Sequence, residues 1–182
     1  MAGVDYRPAF LDAEEAAALH GLLRSDARWQ QESLHLFGRT VAVPRLLAWY
    51  GDAGLNYRYS GTDHPCDGWL PALDRLRRRL QVALELPFNF VLVNRYRHGA
   101  DYMGWHRDDE RGMGRWVASV SLGAERRFLV RAEGQQRSER LDLAPGSLLV
   151  MDGRLRHSLP RTRAAVGERI NLTFRHLCQD AA

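Results

Sequence analysis

The stretch Asn94–Glu110, NRYRHGADYMGWHRDDE, gathers residue types that bind metals and hydrogen-bond small ligands. His106 and Asp108 are two positions apart, so on an extended chain both side chains leave the same face, their Cα atoms roughly 6.6–6.8 Å apart. One metal ion can be gripped by both. A second histidine supplied from far away in sequence would complete a facial site of two imidazoles and one carboxylate, with three open positions. Such a site suits non-haem Fe(II) and oxygen chemistry. Among the 7 histidines, only His106 has an acid two residues on.

The candidate for the third ligand is His157. It follows a strand-like run and an Asp-Gly turn in SLLVMDGRLRHSLP, residues 147–160, and lies 49 residues beyond Asp108. Next comes the most unusual pattern in the chain, RINLTFR, residues 169–175. Period two puts Ile170, Leu172 and Phe174 on one face and Arg169, Asn171, Thr173 and Arg175 on the other. Two arginines flanking Asn and Thr can line a pocket for a small dianion such as a dicarboxylate, although a solvated edge strand gives the same pattern. The segment begins twelve residues after His157, near enough to run alongside it. On residues 88–96, Phe88, Phe90, Leu92, Asn94 and Tyr96 share one face, which turns from apolar to hydrogen-bonding as it nears His106.

These residues need elements to position them. LDAEEAAALHGLLR, residues 11–24, reads as a helix, with Asp12 and Glu15 forming a capping-box pattern. WQQESLHLFGRTVAVPR, residues 29–45, reads as a hairpin bending near Phe37-Gly38. In YGDAGLNYRYSG, residues 50–61, glycines bracket Tyr57-Arg58-Tyr59, which can stack a base and hold a phosphate or be a half-buried strand. Residues 70–86 form the clearest helix, with leucines at three- and four-residue spacing and arginines on the solvated faces. From Pro87 onward the period changes to two, in short strands separated by Gly, Pro and charged turns. No helical pattern intervenes, which excludes a parallel β/α/β sheet. The expected fold is mainly β (α+β): an antiparallel jelly roll with the two N-terminal helices packed on one face.

Composition sets the outer bounds. At 182 residues, 45% hydrophobic and 26% charged, the chain is most simply one domain with a real core. Within it, 1–85 would hold the two helices and the hairpins, and 86–178 the strand-rich core. No apolar run approaches the ~18–20 residues of a membrane span, and MAGVDYRPAF lacks a secretory pattern. Cys66 and Cys178 belong to no Cys-x-x-Cys pair, which favours a reducing compartment. A cytoplasmic location is expected, or a nuclear one in a eukaryote. The net charge of +4 points to a polyanionic partner. All 26 basic residues are arginine, the better side chain for bidentate grip on phosphate or carboxylate. The absence of an association stripe makes a monomer the expectation.

Taken together, Asn94-x-Tyr96, His106-x-Asp108-Asp109-Glu110, His157 and Arg169-x-Asn-x-Thr-Phe-Arg175 resemble the AlkB family of Fe(II)/2-oxoglutarate dioxygenases, whose fold is the double-stranded β-helix (jelly roll). The resemblance runs from about residue 36 to 177 and implies a nucleotide-recognition hairpin or lid within 1–85 and a jelly-roll catalytic core at 86–178. LFGRTVAVPR, YGDAGLNYRYSG and FNFVLVNRY resemble the members that repair alkylated bases in duplex DNA.

The resemblance implies roles. His106, Asp108 and His157 would hold Fe(II). Arg169 and Arg175 would bind the 2-oxoglutarate carboxylates, helped by Asn94, Tyr96, Asn171 and Thr173. Tyr59 would stack on an extruded base, Asp109 would hydrogen-bond it, and Glu110 would support that contact. Phe37 would fill the hole left in the duplex, while Gly38, Arg39, Tyr57 and Arg58 would lie along the strand being opened. With O2 as co-substrate, the N-methyl carbon of 1-methyladenine or 3-methylcytosine would be hydroxylated and lost as formaldehyde, leaving succinate. The partner would be alkylated DNA, duplex or single-stranded. Two rivals stand beside this reading: a hydroxylase of RNA, protein or a small molecule, and a non-enzymatic nucleic-acid-binding jelly roll.

Overall fold

The computed structural model describes residues 2–36, 38–59 and 62–178. Phe37, the expected finger, lies outside the described residues, and so does the side chain of Tyr59. The elements run β1 (Val4–Arg7), α1 (Ala13–Asp26), β2 (Ser33–Leu36), β3 (Arg39–Ala42), β4 (Leu46–Gly51), β5 (Asn56–Tyr59) and β6 (Thr62–Pro65). They continue with α2 (Pro71–Leu84), β7 (Phe90–Tyr96), β8 (Met103–His106), β9 (Trp116–Gly123) and β10 (Arg126–Arg131). Last come β11 (Glu139–Leu143), β12 (Leu148–Asp152), β13 (Arg156–Leu159) and β14 (Arg169–Arg175).

Two antiparallel sheets face each other, as the jelly-roll expectation requires. The larger has the order β1-β12-β9-β14-β7-β4 and the smaller β11-β10-β13-β8. The edges of the larger sheet, β1 and β4, have no strand signature in the sequence. β1 is only four residues long, and β4 reads LLAWYG, apolar without alternation, because both of its faces are covered. The hairpins β2–β3 and β5–β6 stand apart as two small ribbons.

Both helices cover the outer face of the larger sheet. Leu23 of α1 and Leu73, Leu76 and Leu80 of α2 are buried against Val91, Val93, Val120, Ile170, Leu172 and Phe174. The expected capping box is present: the Asp12 carboxylate accepts from the Glu15 amide, and Glu15 accepts from the Asp12 amide. Pro71 opens α2, where its missing N–H has no partner to lose. Three of the four α2 arginines sit on acids, Arg77 and Arg78 on Asp74 and Arg79 on Glu15. A second cluster, with Val117, Phe128, Val130, Leu149 and Met151, fills the space between the two sheets. The site opens at one end of that space.

One placement differs from expectation. β14 does not run alongside His157. It is a central strand of the larger sheet, between β9 and β7, while β13 belongs to the smaller sheet. The two are brought together across the sandwich, so the polar face of β14 is buried rather than wet.

Candidate active site

His106 and His157 are cross-strand partners on β8 and β13. Their rings meet edge to face with centroids 4.1 Å apart. Asp108 follows the end of β8, is 3% exposed, and places its carboxylate 3.8 Å from His106 Nε2 and 3.6 Å from His157 Nε2. One donor atom from each of the three residues lies within 4.8 Å of the others.

The tautomers favour a metal. His106 Nδ1 donates to the Gly104 carbonyl and His157 Nδ1 to the Leu155 carbonyl, each at 2.9 Å. A carbonyl can only accept, so Nδ1 carries a proton in both rings, and each Nε2 is the atom turned toward Asp108. Burial, with His157 beside it, pushes the His106 imidazole down to about 4, against the pull of Asp108. Burial alone would raise the Asp108 carboxyl, but the Arg175 guanidinium and the two imidazoles hold it below its ordinary value. Two imidazole nitrogens and a carboxylate form a donor set fitted to Fe(II).

The turn between β12 and β13 sets Asp108 in place. The Asp108 amide donates to the Gly153 carbonyl at 2.9 Å. A Cβ on Gly153 would lie 2.3 Å from the Asp108 carbonyl oxygen, so only glycine allows that approach.

The wall opposite the triad is built by β14 and β7 in register, Arg169 against Tyr96 and Asn171 against Asn94. Asn171 donates to Ser119 Oγ at 2.7 Å, and Thr173 donates to Asn171 Oδ1 at 2.9 Å. Arg169, 2% exposed, donates to Ser121 Oγ and lies over the Tyr96 ring, while its Nε has no partner. No carboxylate pairs with it among the described residues. Burial pushes its guanidinium down to about 10, so the pocket holds a buried cation awaiting an anion. Triad, Arg169 and Arg175 line one cavity.

Arg175 is differently placed. It donates to Asp108 and to the Tyr57 hydroxyl, each at 2.6 Å. Despite its burial, Asp108, Tyr57 and Glu110 raise its pKa. Tyr57, expected along the opened strand, instead faces inward, 3% exposed, and donates to Glu110 at 3.2 Å. Burial raises the Glu110 carboxyl above its ordinary value. Gly38, Arg39 and Arg58 are exposed on the two hairpins, and Asp109 is exposed beside Arg107.

Two pocket residues, Arg45 and Ser119, and Ser121 behind Arg169 have no place in the sequence reading. Arg45, 4% exposed, donates from Nε to Asn94 Oδ1 at 2.8 Å. Its only signal is its position after Pro44. Ser119 and Ser121 alternate with Val120 and Leu122 in WVASVSLG, a period-two signal that marks them as a polar face.

The 2OG-Fe(II) oxygenase superfamily model matches residues 3–175. The chain belongs to that superfamily. An AlkB-type member of it, the chain is 43% identical over 158 residues to the Bos taurus protein named DNA oxidative demethylase ALKBH2, covering 79% of this chain and 57% of that one. It is 34% identical over 189 residues to human alpha-ketoglutarate-dependent dioxygenase alkB homolog 3, covering 95% and 65%. This superfamily member thus spans somewhat over half the length of the curated relatives it matches. In fold it is similar to a 2OG-Fe(II) oxygenase family oxidoreductase from Burkholderia pseudomallei, with a TM-score of 0.67, 18% identity, and 99% and 87% of the two chains covered. The superfamily's cofactors are Fe(II), 2-oxoglutarate and O2, and the donor set and the buried Arg169 cation fit the first two.

Proposed function

We propose that this chain is an oxidative demethylase of N-alkylated bases in DNA, acting on 1-methyladenine and 3-methylcytosine types of lesion. The observation that carries this reading is the triad opening on the same cavity as the uncompensated Arg169. The relatives named as DNA oxidative demethylases support the substrate class.

His106, Asp108 and His157 hold Fe(II) through two Nε2 lone pairs and a carboxylate oxygen. Arg169 binds the distal carboxylate of 2-oxoglutarate, with Tyr96, Asn94, Asn171 and Thr173 orienting the rest. Arg175 pins Asp108 so that the carboxylate keeps one orientation, and it borders the same cavity. When bound, Fe(II) with 2-oxoglutarate and O2 supplies hydroxylation of an unactivated C–H bond.

The substrate's alkyl carbon must reach the triad, which it cannot do inside a stacked duplex, so the base is extruded. Tyr59 stacks on it, Asp109 hydrogen-bonds its polar edge, and Glu110 supports that contact. Phe37 fills the vacated stack, and Gly38, Arg39 and Arg58 track the backbone. The hydroxylated methyl group then leaves as formaldehyde and restores the base. Residues 1–85 carry the helices and the lid hairpins and add β1 and β4 to the edges of the catalytic sheet, while 86–178 supply the rest of the catalytic core of one domain.

The test is formaldehyde release from a duplex oligonucleotide carrying one 1-methyladenine, with Fe(II), 2-oxoglutarate and ascorbate. A 2-oxoglutarate-dependent signal is expected. Succinate without formaldehyde would refute the substrate class and leave the oxygenase site standing.

A further inference from the structure

His64 is 1% exposed on β6, and the mechanism above does not use it. Its Nδ1 donates to the backbone carbonyl of Tyr57, its cross-strand partner, at 3.0 Å. Its Nε2 lies 2.5 Å from Glu32 Oε1. Both ring nitrogens therefore face oxygen acceptors, which is favourable only if a proton sits between Nε2 and the carboxylate. Trp49 closes over the pair, its ring edge-on to the imidazole at 4.5 Å.

The partners join two hairpins that belong to different sheets. Glu32 immediately precedes β2, and its carbonyl accepts from the Val43 amide at the far end of β3, so it forms the base of the β2–β3 ribbon. His64 belongs to the β5–β6 ribbon. From there the contacts run on to the metal ligands. Tyr57, held by His64, accepts from Arg175, and Arg175 donates to Asp108. A second link leaves the same ribbon base through Arg45, whose amide donates to the Val43 carbonyl and whose guanidinium donates to Asn94.

We propose that Glu32 and His64 are a positioning pair, which fixes the two hairpins as one unit and through Tyr57 and Arg175 sets the orientation of Asp108. Movement of the β2–β3 ribbon on a nucleic acid is thereby transmitted to a ligand of the metal. The pair acts by geometry, so an amide at position 32, able to donate to Nε2, retains most of the effect.

The inference rests on His106, Asp108 and His157 being the metal site, and its primary test needs no nucleic acid. Mn(II) titration in the presence of 2-oxoglutarate would be compared for the wild type, Glu32→Ala, Glu32→Gln, His64→Leu and the Glu32→Ala/His64→Leu double variant. Outer contacts of this kind change metal affinity by about tenfold or more when next to a ligand. Glu32→Ala and His64→Leu are expected to weaken Mn(II) about threefold to tenfold, scaled down from that figure for their greater distance. Glu32→Gln should stay near wild type, and the double variant should be no weaker than the worse single one.

Partial unfolding lowers the number of Mn(II) sites and leaves their affinity unchanged, which separates positioning from mere stability. Unchanged affinity in both single variants, or additive losses in the double, would overturn the proposal. Wild-type Mn(II) binding that survives His106→Ala would instead refute the metal site itself. On methylated duplex, the single variants should also lower the ratio of formaldehyde to succinate. That ratio is independent of the folded fraction.

Discussion

His106 and His157 are direct partners across the β8–β13 pairing, and each Nδ1 is tied to the carbonyl two residues before it. The same local device, used twice on neighbouring strands, turns both Nε2 atoms toward Asp108. It follows that His106→Ala, Asp108→Asn and His157→Ala should each reduce formaldehyde release to background. DNA binding, measured by fluorescence anisotropy, should change little. The amide at position 108 is preferred to alanine because it leaves a partner for buried Arg175. Demethylation surviving in any of the three would refute the ligand set.

Arg169→Ala removes a buried guanidinium that has no carboxylate partner among the described residues. The dicarboxylate would then enter a partly dry pocket unpaired, at a cost of about 3 kcal/mol, or roughly a hundredfold in its apparent affinity. The 2-oxoglutarate dependence of succinate formation reports this. An unchanged requirement would place the co-substrate elsewhere.

Gly153→Ala puts a methyl group against the Asp108 carbonyl. The overpacking should cost about 1–3 kcal/mol of stability and displace Asp108. A lower Tm together with weaker Mn(II) binding is expected. A Tm equal to wild type would show that the turn yields freely.

Acid should destabilise the metal-free protein through His106. Its folded pKa of about 4 lies below the ordinary 6.5, so the unfolded chain binds the proton more readily. The stability contributed by the neutral ring is complete above pH 6.5 and is lost as pH falls toward 4. Melting curves across that range should drop more steeply for wild type than for His106→Gln, and equal slopes would contradict the assignment.

Phe37→Ala tests the hairpin. Repair of a methylated duplex should fall roughly tenfold more than repair of the matching single strand, since only the duplex leaves a gap to fill. Equal losses on both substrates would give Phe37 another role.

Much of this protein is decided by its sequence alone. The two-residue spacing of His106 and Asp108 and the alternation of Arg169, Asn171, Thr173 and Arg175 need only strand periodicity to assign each side chain a face. The Asp12–Glu15 capping box and the leucine spacing of α2 likewise depend on a few neighbouring residues. Tertiary structure decided what period two cannot say, namely which faces meet. β14 lies opposite His157 rather than beside it because strand order is set by packing across the sandwich. Tyr57 turned inward because Arg175, 118 residues away, offered its hydroxyl a buried partner. Arg45, and the Glu32–His64 pair, became visible only when elements without a common periodicity were folded together. A buried polar side chain is placed by its partner, and the partner's distance along the chain is not written in the local pattern.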